Sequence, residues 1–202
     1  MLNVLLKLFQ LCFDSGKIPS QWQKSIINPI PKSKENDPRI PLNYRGISLM
    51  CCSAKLYSSL LNERIMHLLE EESSIVDEQN GFRKRRSCQD HIFVLDSIIR
   101  NRREEGLATY VAFIDLKKAF DCINRDFLLF KMLRMGIDGK MYNAVQSTYQ
   151  STKSCVRINN YMTSWFETLF GVRQGDGLSP TLFSIFINDL ANYAILAYIF
   201  YR

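Results

Sequence analysis

Asn3, Lys7, Gln10 and Asp14 recur at spacings of four, three and four, with Leu2, Leu5, Leu6, Phe9 and Phe13 set between them. This is the repeat of an amphipathic helix docked on a core, and Gly16 offers its C-terminal cap. The polar stripe also sets the segment apart from a secretory signal. Leu56, Leu60, Leu61, Ile65, Leu68 and Leu69 repeat at three and four and predict a helix from Cys52 to Glu72. "DHIFVLDSIIRNRREEG" reads as a helix ended by Gly106, "INRDFLLFKMLRMG" as one stopped at Gly136, and "GKMYNAVQSTYQ" as another. "SPTLFSIFINDL" predicts a helix with Ser179 as N-cap and Pro180 in its first position.

The remaining segments carry other periods. Prolines at 19, 29, 31, 38 and 41 forbid a continuous helix there; "KSIINPI" reads as a short strand and "KSKENDPR" as a solvated loop. "TYVAFIDL" is a continuous apolar run, which predicts a strand in the middle of a sheet. "SCVRINNYMTSWFETLFG" reads as a hairpin with Asn159-Asn160 in a turn that needs positive φ. Helices mixed with antiparallel strands give the class α+β, with no internal repeat and no linker.

Composition narrows the picture little. Apolar residues make up 47% of 202, enough for a real core. A net charge of +6 and a pI near 9.0 suit a polyanionic partner. None of the six cysteines forms a C-x-x-C pair and both histidines lie far from any cysteine pair, which argues against zinc and for reduced thiols inside a cell. "YAILAYIFY" is too short to span a bilayer.

Four stretches carry candidate chemistry. Asp115 ends the apolar run; it is either a strand-end acid reaching solvent or a ligand for Mg²⁺, which takes one or two carboxylates beside water and phosphate oxygens. "GVRQGDGLSP" is a tight loop feeding a helix, an ordinary cap or a place where backbone approaches a ligand. Lys32 and Arg45 are two cations on a hairpin-like segment, suited to a triphosphate or merely solvated. "GFRKRRS" holds Arg83, Lys84, Arg85 and Arg86, a run that can track a phosphate backbone, act as a nuclear-localisation signal or form an exposed loop.

The order of these pieces is more specific than any one of them. "IPK…NYRGISL", "GFRKRRSCQDHIF", "AFIDLKKAFD" and "GVRQGDGLSPTLFSIFINDL" together resemble the reverse transcriptase domain of non-LTR (LINE-like) retrotransposons, over about residues 5–190. Group II intron maturases and telomerase-like proteins are related, but "NYRGISL" and "FINDL" sit closer to the LINE-type pattern.

The resemblance implies an incomplete right-hand polymerase fold: fingers over about 1–107, part of a palm over about 108–190, no thumb, and a non-family tail at 191–202. It implies copying of an RNA template onto a DNA primer from deoxynucleoside triphosphates, inside the nucleus or cytoplasm and with no membrane. By the same resemblance Lys32 and Arg45 contact the triphosphate, and Arg83, Lys84, Arg85 and Arg86 approach nucleic acid. Asp115 binds metal with help from the Leu116 carbonyl, Phe120 lies under the sugar and excludes a 2′-hydroxyl, and Gln174 and Gly175 support the base pair. Asp121 is structural.

Three departures from the pattern matter. Arg85 replaces a usual glycine and Gly177 a usual proline. The family's chemistry uses two Mg²⁺ ions held by carboxylates from two segments. The second, a Tyr/Phe-x-Asp-Asp hairpin, does not follow "FINDL", and Asp176 and Asp189 are not its equivalents. The sequence therefore reads as a truncated polymerase, inactive alone, or as a non-catalytic RNA-binding remnant.

Overall fold

The computed structural model describes residues 2–193. Six helices are α1 (Leu2–Ser15), α2 (Cys52–Glu71), α3 (Cys88–Glu104), α4 (Arg125–Arg134), α5 (Gly139–Tyr149) and α6 (Ser179–Ile187). Five strands are β1 (Lys24–Pro31), β2 (Tyr44–Leu49), β3 (Lys153–Ile158), β4 (Tyr161–Met162) and β5 (Phe166–Glu167). They form one small mixed sheet in the order β2-β1-β3-β4, with β5 also on β3. β1 runs antiparallel to β2 and parallel to β3, but β3 accompanies it only from Lys24 to Ile27. Pro29 and Pro31 fall in the half of β1 where β2 is its only neighbour, a position a proline tolerates.

The core lies between α1, α2, α4, α5 and α6. Leu61, Ile65 and Leu69 of α2 meet Leu182 and Ile185 of α6, Leu128 and Met132 of α4, and Ala144 and Val145 of α5. Phe9, Trp22 and Tyr57 form an aromatic cluster with ring centroids 5.3–5.8 Å apart. α1 buries Phe9 and Cys12 with Leu5, Leu8 and Phe13 against them, so its apolar face is rotated from the predicted one and leaves Leu2 and Leu6 exposed. Leu56 and Leu60 are likewise exposed, because Ala54, Tyr57 and Ser58 occupy the inward stripe of α2. The Asn159-Asn160 hairpin forms as expected, with Asn159 at φ 53°.

Two expectations are corrected. Residues 109–116 form no strand: the stretch is irregular and open to solvent, with Phe113 and Ile114 each 82% exposed. An apolar run becomes a central strand only where other strands flank it, and none of the described strands lies beside it. Ser179 is not the cap of α6 but its first residue; its hydroxyl pairs with the Tyr149 hydroxyl at 3.3 Å, and Asp176 accepts from the Leu178 N–H instead. The non-family tail read at 191–202 lies almost wholly outside the described residues. No described helix is long and apolar enough to cross a membrane.

Candidate nucleotide and nucleic-acid site

The turn after Asp115 is built around Lys118, at φ 52°, whose carbonyl accepts from Asp121 and Cys122 at 2.9 and 3.1 Å. The chain then dives to Ile123, which is fully buried. Here the glycine-rich loop is laid against it: the Gly171 N–H donates to the Ile123 carbonyl and the Val172 N–H to the Phe120 carbonyl, each at 2.8 Å. Gly171 is required, because at φ 79° a Cβ would stand 2.7 Å from the Asp121 carbonyl oxygen and 2.8 Å from that of Phe120. A few residues on, the Gln174 carbonyl accepts from the Ser48 N–H at 2.7 Å, tying the loop to the end of β2. The Phe120 ring stacks on Phe183 of α6 at 5.1 Å and meets the edge of Phe82 at 6.2 Å. All four sequence motifs thus converge: "NYRGISL" through Ser48, "GFRKRRS" through Phe82, "FIDLKKAFD" through Phe120, and "RQGDG" through Gln174.

The cations divide into two sets. Lys32 and Arg45 stand exposed at the open end of the β1–β2 hairpin, which the Lys32 N–H closes by donating to Asn43 at 2.8 Å. No acid among the described residues pairs with either. In the basic run, Arg83 turns inward. Its guanidinium donates to both Glu70 oxygens at 2.9 and 2.8 Å and to the carbonyls of Val76 and Gln79. That pairing holds the Glu70 carboxyl below the usual carboxylate range. Arg86 donates to Asp77 at 2.7 Å. Lys84 and Arg85 remain outward-facing, so half of the expected free charge is spent on fixing the loop. Arg85 takes φ 61°: the turn that a glycine usually makes is kept in spite of the side chain.

The acids are dispersed. Asp115 and Asp121 are exposed, and Leu116 beside Asp115 is 45% exposed. Asp176 is buried, accepts from Ser58 Oγ and the Leu178 N–H at 3.3 Å each, and is pushed up in pKa mainly by burial. Asp189 is bound by Lys131, which also bonds the Phe186 carbonyl. Among the described residues no three His, Cys, Asp or Glu side chains are grouped to hold a metal. Exposed carboxylates that belong to no such group do not fit a two-metal centre.

Two arginines, the half-buried Arg125 and the buried Arg173, carry no signal in the sequence. Arg125 opens α4 behind the Asn124 cap and donates to the carbonyls of Gly171, Tyr149, Thr168 and Phe170 and to Thr152 Oγ1, at 2.6–3.1 Å. Arg173, inside the quoted "GVRQG", donates to the carbonyls of Trp22 and Thr148 at 3.1 Å. Both guanidiniums face the Tyr149 ring, whose hydroxyl burial pushes up to about 12. Nothing in the spacing distinguishes such arginines from surface ones. Gln79 and Asn80 are also buried, and their side-chain carbonyl oxygens have no partner among the described residues.

A hairpin bearing two exposed cations, a stacked aromatic ring and a glycine-rich loop are thus brought together in one region. The chain belongs to the reverse transcriptase (RNA-dependent DNA polymerase) family, whose pattern it matches over residues 30–201. That family polymerises DNA on RNA, a nucleotidyl transfer, and its members generally use divalent metal ions. Among its relatives is the "Probable RNA-directed DNA polymerase from transposon BS" of Drosophila melanogaster, 29% identical over 85% of this chain and 19% of that protein. The polyprotein of the type-1 retrotransposable element R2 of Popillia japonica is 28% identical over 90% of this chain and 25% of its own length. The RNA-directed DNA polymerase from the mobile element jockey of Drosophila melanogaster is 26% identical over 95% and 21%. These are non-LTR retrotransposon polymerases, and the chain spans about a quarter of their length or less.

Proposed function

We propose that this chain forms the nucleotide- and template-holding part of a retrotransposon RNA-directed DNA polymerase, fingers plus part of a palm, acting inside the cell. Lys32 and Arg45 hold the triphosphate of the incoming deoxynucleotide. Phe120, braced between Phe183 and Phe82, is a rigid ring that leaves no room for a 2′-hydroxyl and so selects by steric exclusion. Gln174 and Gly175, tied to β2, support the nascent base pair. Lys84 and Arg85 approach the nucleic acid, while Arg83 and Arg86 hold that segment in shape. Asp115 supplies one metal-binding carboxylate for Mg²⁺, beside the Leu116 carbonyl.

The observation that carries this reading is the convergence of four sequence-distant motifs on the Phe120 carbonyl, the Phe120 ring and the Gln174 carbonyl. The test is a fluorescence titration with a labelled deoxynucleoside triphosphate in the presence of an RNA–DNA primer-template. Lys32→Ala and Arg45→Ala should each weaken binding by about tenfold, as expected for a charge-assisted phosphate contact. Phe120→Val should let the ribonucleotide bind as well as the deoxynucleotide. Unchanged binding in all three variants overturns the assignment.

A second reading, an RNA-binding polymerase fold without catalysis, is favoured by the position of Asp115 on an exposed, unpaired stretch, with no group of three metal-binding side chains among the described residues. The two readings share their binding residues and differ only in synthesis.

A further inference from the structure

Ser20, Ser48, Ser58 and Ser87 are the hydroxyl residues with a cation three positions before them, and Ser87 alone among these has a second cation two positions before it. The fold separates the four further. Ser48 and Ser58 are buried, in β2 and α2, whereas Ser87 is exposed. The basic run ahead of Ser87 is sorted in the same sense. Arg83 is locked inward on both oxygens of Glu70. Lys84 and Arg85, the cations three and two places before the hydroxyl, are exposed. Arg86, one place before it, is held by Asp77, but that carboxylate is 86% exposed and so solvated a pair gives way easily.

Ser87 is the N-cap of α3. Its Oγ accepts a long bond from the Asp90 N–H at 3.3 Å, and its own N–H donates to the Asp90 carboxylate at 2.7 Å. The chain before it is irregular, with Arg85 turning at φ 61°. A hydroxyl so placed can take up a phosphoryl group without disturbing the core. The added oxygens would stand at the start of α3, where first-turn N–H groups and the positive end of the helix dipole favour an anion. Asp90 in that first turn opposes the added charge.

We propose that Ser87 is a phosphate-acceptor site for a protein kinase with an acidic substrate groove, one that reads cations three and two places before the acceptor. The Ser87 Oγ attacks the γ-phosphorus of ATP. The new O–P bond replaces the bond to the β–γ bridging oxygen, ADP leaves, and the hydroxyl proton passes to the kinase's base. The product carries a charge of about −1.5 to −2 at neutral pH, enough to offset Lys84 and Arg85. That this releases nucleic acid rests on the polymerase reading; the acceptor site itself does not.

The test incubates the folded 202-residue chain with Mg²⁺, ATP and the catalytic subunit of cyclic-AMP-dependent protein kinase, followed by intact-mass and peptide mass spectrometry. A phosphate on Ser87 is expected. Ser87→Ala should lose it, and Lys84→Ala combined with Arg85→Ala should slow its addition by about tenfold or more. Both cations are exposed, so the double variant stays informative should loss of the cap in Ser87→Ala unravel the start of α3. No phosphate on Ser87, or equal rates for the parent and the double variant, overturns the site, as does acceptance of phosphate by the heat-unfolded chain alone. Anisotropy of a fluorescein-labelled single-stranded RNA then reads the consequence: the phosphorylated chain should bind about tenfold more weakly, with a salt slope lower by about 1. A Ser87 phosphate that leaves RNA binding unchanged overturns the nucleic-acid role of Lys84 and Arg85 while the acceptor site stands. The nucleotide titration with Lys32 and Arg45 variants decides the polymerase reading separately.

Discussion

At the scale of single residues, two backbone positions with positive φ behave differently. Arg85 pays for φ 61° without the freedom of the glycine usual there, so Arg85→Gly should stabilise the chain by up to about 1 kcal/mol in urea unfolding. Gly171→Ala should do the reverse and cost at least about 2 kcal/mol, since the added methyl meets backbone that cannot give way. Asp176 makes a pH prediction. Its carboxyl titrates higher in the folded chain than in the unfolded one. Its contribution to stability is therefore full below the unfolded value and is lost as pH rises through the folded value. Asp176→Asn should gain on the parent as pH rises above the ordinary carboxylate range. Parallel stability profiles would show that the buried acid carries no such burden. The Arg85 strain was legible in the sequence as a departure from a glycine pattern. The Asp176 burial was not, because a carboxylate in a glycine-rich loop looks like any solvated turn acid until α2 is seen to cover it.

Among elements, the helices were legible because their repeat is local, and the hairpin at Asn159 because its turn chemistry is. What could not be read was which stripe of α1 or α2 faces inward, since both carry more leucines than one face holds. The run at 109–116 failed for a different reason: a central strand is a property of its neighbours, and period alone cannot supply them. The Arg125 cluster belongs to this scale too. One guanidinium satisfies carbonyls from the end of α5, the end of β5 and the start of the glycine loop. Arg125→Met should orphan these acceptors and destabilise by at least about 3 kcal/mol, with Arg125→Lys recovering part of the loss. Thermal or urea unfolding measures both. Equal stability of the Met variant and the parent would mean that the loop is held in place by Gly171 and Arg173 alone.

For the whole molecule, the dominant feature is unevenness. One side is a packed helical core. Elsewhere Ile92 and Phe93 on α3 and Tyr110, Phe113 and Ile114 on the irregular stretch are all more than half exposed. Apolar surface of this kind drives association. Light scattering should show concentration-dependent aggregation that Phe93→Lys with Phe113→Lys suppresses, at little cost in stability because neither ring is packed. Asp115 stands exposed on the same stretch, and among the described residues no three His, Cys, Asp or Glu side chains are grouped to hold a metal. The most direct measurement is primer extension on an RNA template by the purified 202-residue chain with Mg²⁺. Salt-dependent binding of the primer-template with no extension is expected, and no difference between the parent and Asp115→Asn. Robust extension that Asp115→Asn abolishes would contradict that expectation.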